Sequence, residues 1–377
     1  MAGIYIHIPF CKQACYYCDF HFSTSLKNKD TLLWSLENEL LLRKKELGNG
    51  IIDTIYFGGG TPSLLSSQEI ARLINSIHKS YVVNRNPEIT LEANPDDLSL
   101  EKLKELAASP INRLSIGIQS FFDTDLKLMN RAHNSREARR SVKEAQAYFE
   151  NISIDLIYGI PNASDAQWRA NIEQALAFKV PHISAYALTV EPRTALKSFI
   201  QKGLMPDVDE EKAAAQFFVL IDLLEKNGFL HYEVSNFGKK DFFSKNNTAY
   251  WTGKSYLGIG PSAHSYDGLS RKWNVRNNVK YIKALQKDKL PYEKETLTKT
   301  DRYNEYIMTS LRTMWGISLT EIANRFGDKY AEFTILQASD RIKQGLLIQE
   351  GETLKVSKEG KFLSDGIASD LFMIKLS

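Results

Sequence analysis

The first three-quarters of the chain alternates short runs of β-branched residues with longer amphipathic segments. Strands are predicted at 4–8, 51–57, 88–93, 113–118, 152–158, 182–188 and 229–234. Helices are predicted between them, at 31–47 with Asp30 as its N-cap, 66–78, 100–107, 136–149, 165–178 and 209–227. This alternation requires parallel strands joined by helical crossovers, and the apolar strands indicate a sheet covered on both faces. An α/β fold follows, either a doubly wound sheet or a whole or partial (β/α) barrel.

The pattern changes towards the C-terminus. Helices are predicted at 301–314, from Ser318 onward and at about 329–344, followed by a hairpin at 346–356 and a closing helix within 358–371. Ser318 and Glu321 have the spacing of a capping box. This order predicts a small winged-helix-like α+β domain, for which DNA binding and a structural or substrate-capping role are the alternatives.

Composition and charge exclude several classes of protein. The 377 residues include 48 Lys plus Arg against 45 Asp plus Glu, a net charge of +3. So small a charge argues against organisation around nucleic acid and favours the capping role for the C-terminal domain. No segment approaches the roughly 20 apolar residues of a membrane span, and the N-terminus lacks the pattern of a signal peptide. We therefore expect a cytoplasmic protein, with peripheral membrane contact left open.

All three cysteines of the chain lie in one short segment. Cys11, Cys15 and Cys18 form the pattern C-x3-C-x2-C. An odd number confined to one place cannot be a disulfide framework, and an unligated trio of thiols among so many aromatic residues is disfavoured. One alternative is zinc, which needs a fourth ligand such as His7 or His21. The other is a [4Fe–4S] cluster, in which three thiolates leave one iron free to bind a small molecule.

Several glycines, polar residues and one alanine lie at or near the ends of the predicted strands. They are Gly58, Gly59, Gly60 and Thr61 after the second strand, Glu92 in the third, Gln119 after the fourth, Asp155 in the fifth and Ala187 in the sixth. In a barrel these strand ends meet on one face, where functional groups gather. Successive glycines let backbone amides approach a ligand closely. Each residue alone has an ordinary structural interpretation, but their joint placement predicts a ligand site.

Several motifs resemble those of a known family. The cysteine pattern and Gly-Gly-Gly-Thr-Pro at 58–62 are similar to those of radical S-adenosylmethionine (SAM) proteins. The segments YIHIPFC, LEANP, RLSIGIQS and DLIYGIP, which begin at residues 5, 91, 113 and 155, resemble the oxygen-independent coproporphyrinogen III oxidase family, and within it the HemW-type haem chaperone branch. The resemblance covers nearly the whole chain.

The resemblance implies an architecture and two cofactors. Residues 1–235 would form a partial (β/α)6 radical-SAM barrel, 236–298 a connecting or extension region, and 299–377 the C-terminal domain of this family. The cofactors would be a [4Fe–4S] cluster on Cys11, Cys15 and Cys18, and SAM at its free iron. In such proteins a reduced cluster cleaves SAM to a radical that abstracts hydrogen, which implies an electron donor such as a flavodoxin-like reductant.

The resemblance also implies roles for individual residues around the cluster. Tyr5 and Tyr17 would flank the cluster and its ligand. Gly59, Gly60 and Thr61 would meet the amino end of the methionine part of SAM.

Further residues would contact the rest of the ligand. Glu92 would accept hydrogen bonds from the amino end or the ribose, Asp155 would bind the ribose hydroxyls, and Ala187 would contact adenine. Gln119 and Arg131 match positions that contact a second SAM in the oxidase.

Two departures from the oxidase pattern favour the chaperone branch. The oxidase has a fourth cysteine just after the cluster motif, whereas here Asp19 and Phe20 follow Cys18. The oxidase also has a long segment before the motif, and here only residues 1–10 precede Cys11. The resemblance therefore implies a protein that binds haem and delivers it to an acceptor protein. The alternative is SAM-dependent oxidative decarboxylation of coproporphyrinogen III.

A motif associated with haem in this branch is altered in this chain. The branch carries His-Asn-x-x-Tyr-Trp, and residues 246–251 read Asn-Asn-Thr-Ala-Tyr-Trp. Asn246 thus replaces the histidine, and an amide is a poor ligand for haem iron. We expect Asn247, Tyr250 and Trp251 to contact haem on an open aromatic surface. The candidate iron ligands are the Tyr250 phenol, His231 and His264.

Overall fold

The computed structural model describes residues 2–48 and 50–374. In chain order its strands are β1 (Ala2–Ile8), β2 (Ile52–Gly59), β3 (Val83–Ala93), β4 (Arg113–Gln119), β5 (Ile152–Tyr158), β6 (His182–Ala187), β7 (Leu230–Glu233), β8 (Asn236–Gly238), β9 (Ser255–Ile259), β10 (His264–Tyr266), β11 (Ser270–Asn274), β12 (Tyr292–Thr296), β13 (Ile317–Ser318), β14 (Leu347–Glu350) and β15 (Thr353–Val356).

The α-helices lie mainly between these strands. They are α1 (Lys29–Leu42), α2 (Ser67–Ser80), α3 (Leu100–Ala107), α4 (Asp123–Leu128), α5 (Ser135–Ala145), α6 (Asp165–Ala177), α7 (Ala195–Gln201), α8 (Glu210–Lys226), α9 (Lys245–Trp251), α10 (Asn278–Leu285), α11 (Lys299–Leu311), α12 (Leu319–Phe326), α13 (Asp328–Lys343) and α14 (Ser364–Asp370). Short 3-10 turns lie at Pro62–Leu64, Pro95–Asp97 and Lys361–Leu363. Along the described segments, no helix has the length and apolar character to cross a bilayer.

One twelve-stranded sheet organises the molecule. Its strand order is β12-β11-β10-β9-β1-β2-β3-β4-β5-β6-β8-β7. Strands β1 to β6 are parallel neighbours in chain order, and β9 is parallel to β1. The six βα units form the predicted partial barrel. Their strands are nearly all apolar and pack against the helices in one hydrophobic core. The carboxyl ends of β1 to β6 consequently share one face.

The predicted strand at 229–234 is present as β7, but its expected parallel direction is wrong. Strand β7 pairs with β8 in an antiparallel hairpin, and β8 is antiparallel to β6. Only Val234 and Ser235 separate β7 from β8. Two residues suffice for a hairpin, whereas a parallel connection needs a crossover of a dozen or more.

Several helix boundaries differ from the prediction. Asp30 lies in the first turn of α1, and Asn28 occupies the N-cap position, so the predicted cap is wrong. The helix also ends at Leu42 and not at 47. Arg43, at its C-cap, is buried and donates hydrogen bonds to Glu39 and to the carbonyl of Gly258, both at 2.9 Å. Helix α5 likewise ends at Ala145 and not at 149.

Beyond β8, residues 245–296 extend the same sheet at its β1 side. Strands β9 to β12 continue it beyond β1, and helices α9 and α10 accompany them. Helix α9 contacts β1, β2 and β9, and α10 packs on α1. This region thus covers the flank of the barrel opposite β6.

The C-terminal elements follow the predicted order. Strands β14 and β15 form the predicted hairpin, and β13 adds a third strand to it. The Ser318 hydroxyl accepts a hydrogen bond of 3.1 Å from the Glu321 amide, as the capping spacing predicts. Helix α11 begins at Lys299, two residues earlier than predicted, because Thr298 and Asp301 form a capping box. A separate apolar cluster centred on Tyr303, Ile307 and Leu354 forms the core of this part.

Candidate cofactor site

A cavity of about 720 Å³ opens at the carboxyl ends of the parallel strands. We call it the cofactor cavity. Of the residues that the sequence predicts for cluster and SAM, all but Tyr5 line it: Cys11, Cys15, Cys18, Tyr17, Gly59, Gly60, Thr61, Glu92, Gln119, Arg131, Asp155 and Ala187. At its far end the wall is formed by Lys361, Phe362, Ser364 and Asp365 of the C-terminal region. The topology thus brings together residues as distant in sequence as Cys11 and Ala187, which are 176 positions apart.

The cysteine segment is a loop that follows β1 and is fixed at several points. The Cys11 amide donates to the Ser23 carbonyl at 3.1 Å, and the Tyr16 amide donates to the Met129 carbonyl at 3.1 Å. The three thiols are free and partly exposed to the cavity. Burial raises the pKa of the Cys18 thiol to about 11 and also raises the pKa of Cys11. Binding of a metal centre therefore has to displace thiol protons.

Both histidines proposed as a fourth zinc ligand use ring nitrogens within the protein. Both ring nitrogens of His7 are engaged, Nε2 with the carbonyl of His21 at 2.8 Å and Nδ1 with the Tyr5 hydroxyl at 3.2 Å. The His21 Nε2 atom lies 2.7 Å from the side-chain oxygen of Asn278. Within residues 2–48 and 50–374, no three His, Cys, Asp or Glu side chains form a ready-made site for a single metal ion.

The glycines after β2 are required by contacts within the protein. A Cβ atom on Gly60 would lie 2.6 Å from the carbonyl oxygen of Phe10, the residue before Cys11. Gly59 has a φ of +111°, and its Cβ would lie 2.6 Å from the ring of His7. The sequence attributes these glycines to the approach of a ligand, but in the structure backbone atoms of Ile8 and Phe10 lie against Gly60, and the His7 ring lies against Gly59.

Two buried carboxyl groups line the cavity and lie close enough to repel each other. Glu92 accepts hydrogen bonds from the Tyr56 hydroxyl at 2.8 Å and from the Gly59 amide at 3.2 Å. Desolvation raises the pKa of Glu92 to about 7, and repulsion from Asp155 adds to it, while the Tyr56 hydrogen bond opposes it. Desolvation likewise raises the pKa of Asp155 to about 6, and Ser115 donates to it at 3.3 Å. Such carboxyl groups are poised to accept hydrogen bonds from a cationic or hydroxylated ligand.

Arg131 connects the cysteine loop to the barrel. Its guanidinium lies 3.4 Å from the sulfur of Cys15 and 3.4 Å from the Tyr17 hydroxyl. It also donates to the side-chain oxygen of Asn94 at 2.6 Å and to the carbonyl of Gly117 at 3.0 Å. Gln119 lies on the same wall with a positive φ of 63° and is the last residue of β4, whereas the sequence places it just after the strand. Arg131 therefore orients the loop that carries the cysteines.

Tyr5 lies behind the cavity wall. Its ring is stacked on Tyr56 with a centroid distance of 6.0 Å, so it supports the hydroxyl that binds Glu92. Tyr56, Asn94 and Ser115 are site residues that sequence reasoning missed. Asn94 could have been found, since it follows Glu92 in the LEANP motif; Tyr56 and Ser115 lie inside apolar strands and give no local signal.

A second cavity, of about 320 Å³, lies beside α9. We call it the α9 cavity. Tyr250 and Trp251 line it, together with Tyr306 and Trp315 of the C-terminal region, whereas Asn247 is not among its lining residues. The aromatic face that the sequence predicts as an open surface is therefore partly enclosed.

Position 246 does not face the α9 cavity. The Asn246 side chain is 2% exposed and accepts a hydrogen bond of 3.0 Å from the Thr54 hydroxyl of β2. His231 is stacked on Phe237 at 4.2 Å, and His264 is exposed on β10. No histidine is found among the described residues that line the α9 cavity, whereas four tyrosines are: Tyr250, Tyr256, Tyr266 and Tyr306.

Comparison with known proteins shows what this chain is related to. Residues 5–175 match the radical SAM superfamily, and residues 297–363 match the HemN C-terminal domain. The heme chaperone HemW of Bacillus subtilis is 33% identical over 371 residues, which cover 97% of this chain and 98% of that protein. HemW of Lactococcus lactis is 36% identical over 365 residues, 96% of this chain and 95% of that protein. This chain belongs to the HemW family of radical SAM proteins.

A solved structure supports the fold of this HemW-family chain. The coproporphyrinogen III oxidase HemN of Escherichia coli, a radical SAM enzyme, superposes with a TM-score of 0.85 over 99% of this chain and 90% of that one. The two sequences are 23% identical, so this likeness concerns the fold.

Membership of the superfamily defines the two cofactors as a [4Fe–4S] cluster and SAM. The residues of the cofactor cavity fit both groups. Three free thiols suit the iron of a cluster, and the Glu92 and Asp155 carboxyl groups suit the ammonium and hydroxyl groups of SAM.

Proposed function

We propose that this protein is a haem chaperone: it binds haem beside α9, delivers it to an acceptor protein, and keeps a cluster and SAM in the cofactor cavity. The observation that carries the proposal is the α9 cavity, an aromatic site separate from the cofactor cavity, in a chain with curated HemW relatives over its full length. Tyr250 and Trp251 would contact the porphyrin. The tyrosines of the cavity offer phenol oxygen as a ligand for haem iron, as tyrosine is in catalase. The Tyr306 hydroxyl is already hydrogen-bonded to Ser318 and Glu321, and that of Tyr250 to Asn246.

In the cofactor cavity, the three cysteines would hold the cluster and Tyr17 would lie beside it. Gly59, Gly60 and Thr61 would offer backbone and hydroxyl groups to the amino end of SAM, next to Glu92. Together these bound groups supply one-electron radical chemistry, for which the cavity supplies position and exclusion of water.

The remaining walls would hold the ribose and adenine of SAM, and would keep the cysteine loop in place. Asp155 would accept hydrogen bonds from the ribose hydroxyls, and Ala187, the last residue of β6, would lie beside adenine. Arg131 would keep the cysteine loop in place, and Gln119 would be available to a further ligand. Tyr5 would act through Tyr56 and not by direct contact.

Three partners follow from this proposal: haem, a haem-acceptor protein and an electron donor such as a flavodoxin-like reductant. A reducing compartment would keep the three thiols free for the cluster, which supports the expected cytoplasmic location.

We expect SAM affinity to fall as the pH is lowered from 8 to 6. The pKa of Glu92 is raised to about 7, so the group is mostly ionised at pH 8 and mostly protonated at pH 6. Only the carboxylate attracts the ammonium group of SAM, so the affinity should weaken by about tenfold between these values. The SAM affinity at each pH is measured by equilibrium dialysis with cluster-loaded protein under anaerobic conditions.

The matched control for this experiment is Glu92→Gln, which keeps the size and an acceptor oxygen but cannot ionise. It should bind SAM weakly and show little pH dependence between 8 and 6. An identical pH dependence in Glu92→Gln would assign the titration to another group and remove Glu92 from the ammonium site.

The proposed function is tested by comparing haem binding with coproporphyrinogen turnover. Under anaerobic conditions with reductant and SAM, we expect a saturable Soret change on adding haem and no conversion of coproporphyrinogen III. Trp251→Ala should weaken haem binding, whereas Trp34→Ala, an exposed residue on α1, should not. Multiple turnovers to protoporphyrinogen without a Soret change would instead support the oxidase alternative.

A further inference from the structure

We propose that Arg302 in the α9 cavity binds a propionate of haem, so that the C-terminal domain recognises the acidic edge of the cargo. This inference rests on the proposed haem-binding function. It assigns a residue that gives the site a preference for an acidic ligand, and this residue lies outside the altered Asn-Asn-x-x-Tyr-Trp segment at 246–251.

The walls of the α9 cavity suit a flat aromatic ligand. One wall consists of Tyr250, Trp251 and Tyr256, with the rings of Tyr250 and Tyr256 edge to face at 4.5 Å. The C-terminal region adds Tyr306 and Trp315 to the lining. Aromatic side chains from two parts of the chain offer a porphyrin more dispersion and stacking contacts than a single exposed helix face would.

The cavity also carries three arginines, of which two are already paired. Arg271 forms an ion pair with Glu305. Arg325 forms an ion pair with Glu321 at 2.9 Å and lies over the ring of Tyr306. Both carboxylates of this cavity are therefore engaged with other cations through one oxygen, while the Oε2 atom of Glu305 is buried without a hydrogen bond.

Arg302, the third arginine of the cavity, differs from Arg271 and Arg325. Within the described part of the chain its guanidinium has no carboxylate partner, and its Nε atom is buried without a hydrogen bond. A buried donor without a partner is costly, so a ligand that supplies an acceptor gains from pairing with it. Guanidinium groups bind carboxylates with two parallel hydrogen bonds, which gives this site a preference for an acid.

The size of the cavity is consistent with a cargo that must be released. At about 320 Å³ it lies at the lower end of the ~300–1,000 Å³ of small-molecule sites, so a porphyrin would be enclosed only in part. A carboxylate bound to Arg302 would then orient the ring, while the free edge stays accessible to an acceptor.

The test compares haem with haem dimethyl ester, whose propionates are neutral. We expect the unaltered protein to bind haem about tenfold or more tightly than the ester, as loss of a charge-assisted pair implies. In Arg302→Gln, haem affinity should fall to that of the ester, whose own affinity stays unchanged. Arg302→Lys keeps the charge and should retain part of the preference.

Arg341→Gln is the matched control, since Arg341 is on α13 and pairs with Asp370 away from the cavity. It should leave both affinities unchanged, and circular dichroism should show that every variant is folded. Equal binding of haem and ester by the unaltered protein, or an unchanged preference in Arg302→Gln, would overturn the role of Arg302 while leaving haem binding intact. Absence of binding by either compound would instead overturn the proposed function.

Discussion

The Cys15→Ser variant should lose most of its iron and sulfide. Cys15 lies in the loop that faces the cofactor cavity, and its sulfur is 3.4 Å from the guanidinium of Arg131. Serine can preserve that polar contact, but its hard oxygen is a poor substitute for a soft thiolate on iron. Anaerobic reconstitution of the unaltered protein should give about four iron and four sulfide per chain, the content of a [4Fe–4S] cluster.

The control for this experiment is Thr24→Ala, an exposed position just beyond the same loop. It should retain the full iron and sulfide content, so that a loss in Cys15→Ser reports on ligation and not on handling. Stoichiometric zinc in the unaltered protein, without visible charge-transfer absorption, would contradict the cluster assignment.

The barrel and the lining of its cavity could be predicted because their signals are local. The six parallel strands are short runs rich in apolar residues, and parallel topology places their carboxyl ends on one face. Glu92 and Asp155 could therefore be assigned to one site although 63 positions separate them.

The remaining parts depend on contacts that are distant in sequence. Strands β9 to β12 are short, and their place beside β1 is set by pairing with a strand more than 250 positions earlier. The position of the Asn246 side chain depends on Thr54 of β2, whose hydroxyl donates a hydrogen bond to it. No periodicity in the sequence reveals that this side chain is buried between Thr54 and the Tyr250 hydroxyl, nor that residues of the C-terminal region line the α9 cavity beside Tyr250 and Trp251.

The glycine motif illustrates the same limit. Sequence reasoning relates the glycines to SAM and predicts that Gly60→Val would abolish SAM binding while the cluster survives. In the structure, a Cβ atom at Gly60 would lie 2.6 Å from the Phe10 carbonyl oxygen and 2.9 Å from the Ile8 carbonyl oxygen. These are backbone atoms of β1 and of the cysteine loop, which cannot move aside as a flexible side chain could.

Gly60→Val should therefore lose the cluster together with SAM. The larger side chain has to displace Phe10, and with it Cys11, and it breaks the 2.8 Å hydrogen bond from the Gly60 amide to Ile8. We expect a stability loss of at least about 1–3 kcal/mol, as overpacking typically costs, with iron content and SAM binding both reduced. Thermal unfolding, iron analysis and equilibrium dialysis measure the three effects.

Gly366→Val is the control, because a Cβ atom there meets nothing within 4 Å. If Gly60→Val kept a full cluster and lost SAM alone, the ligand, and not the cysteine loop, would be what requires glycine at this position.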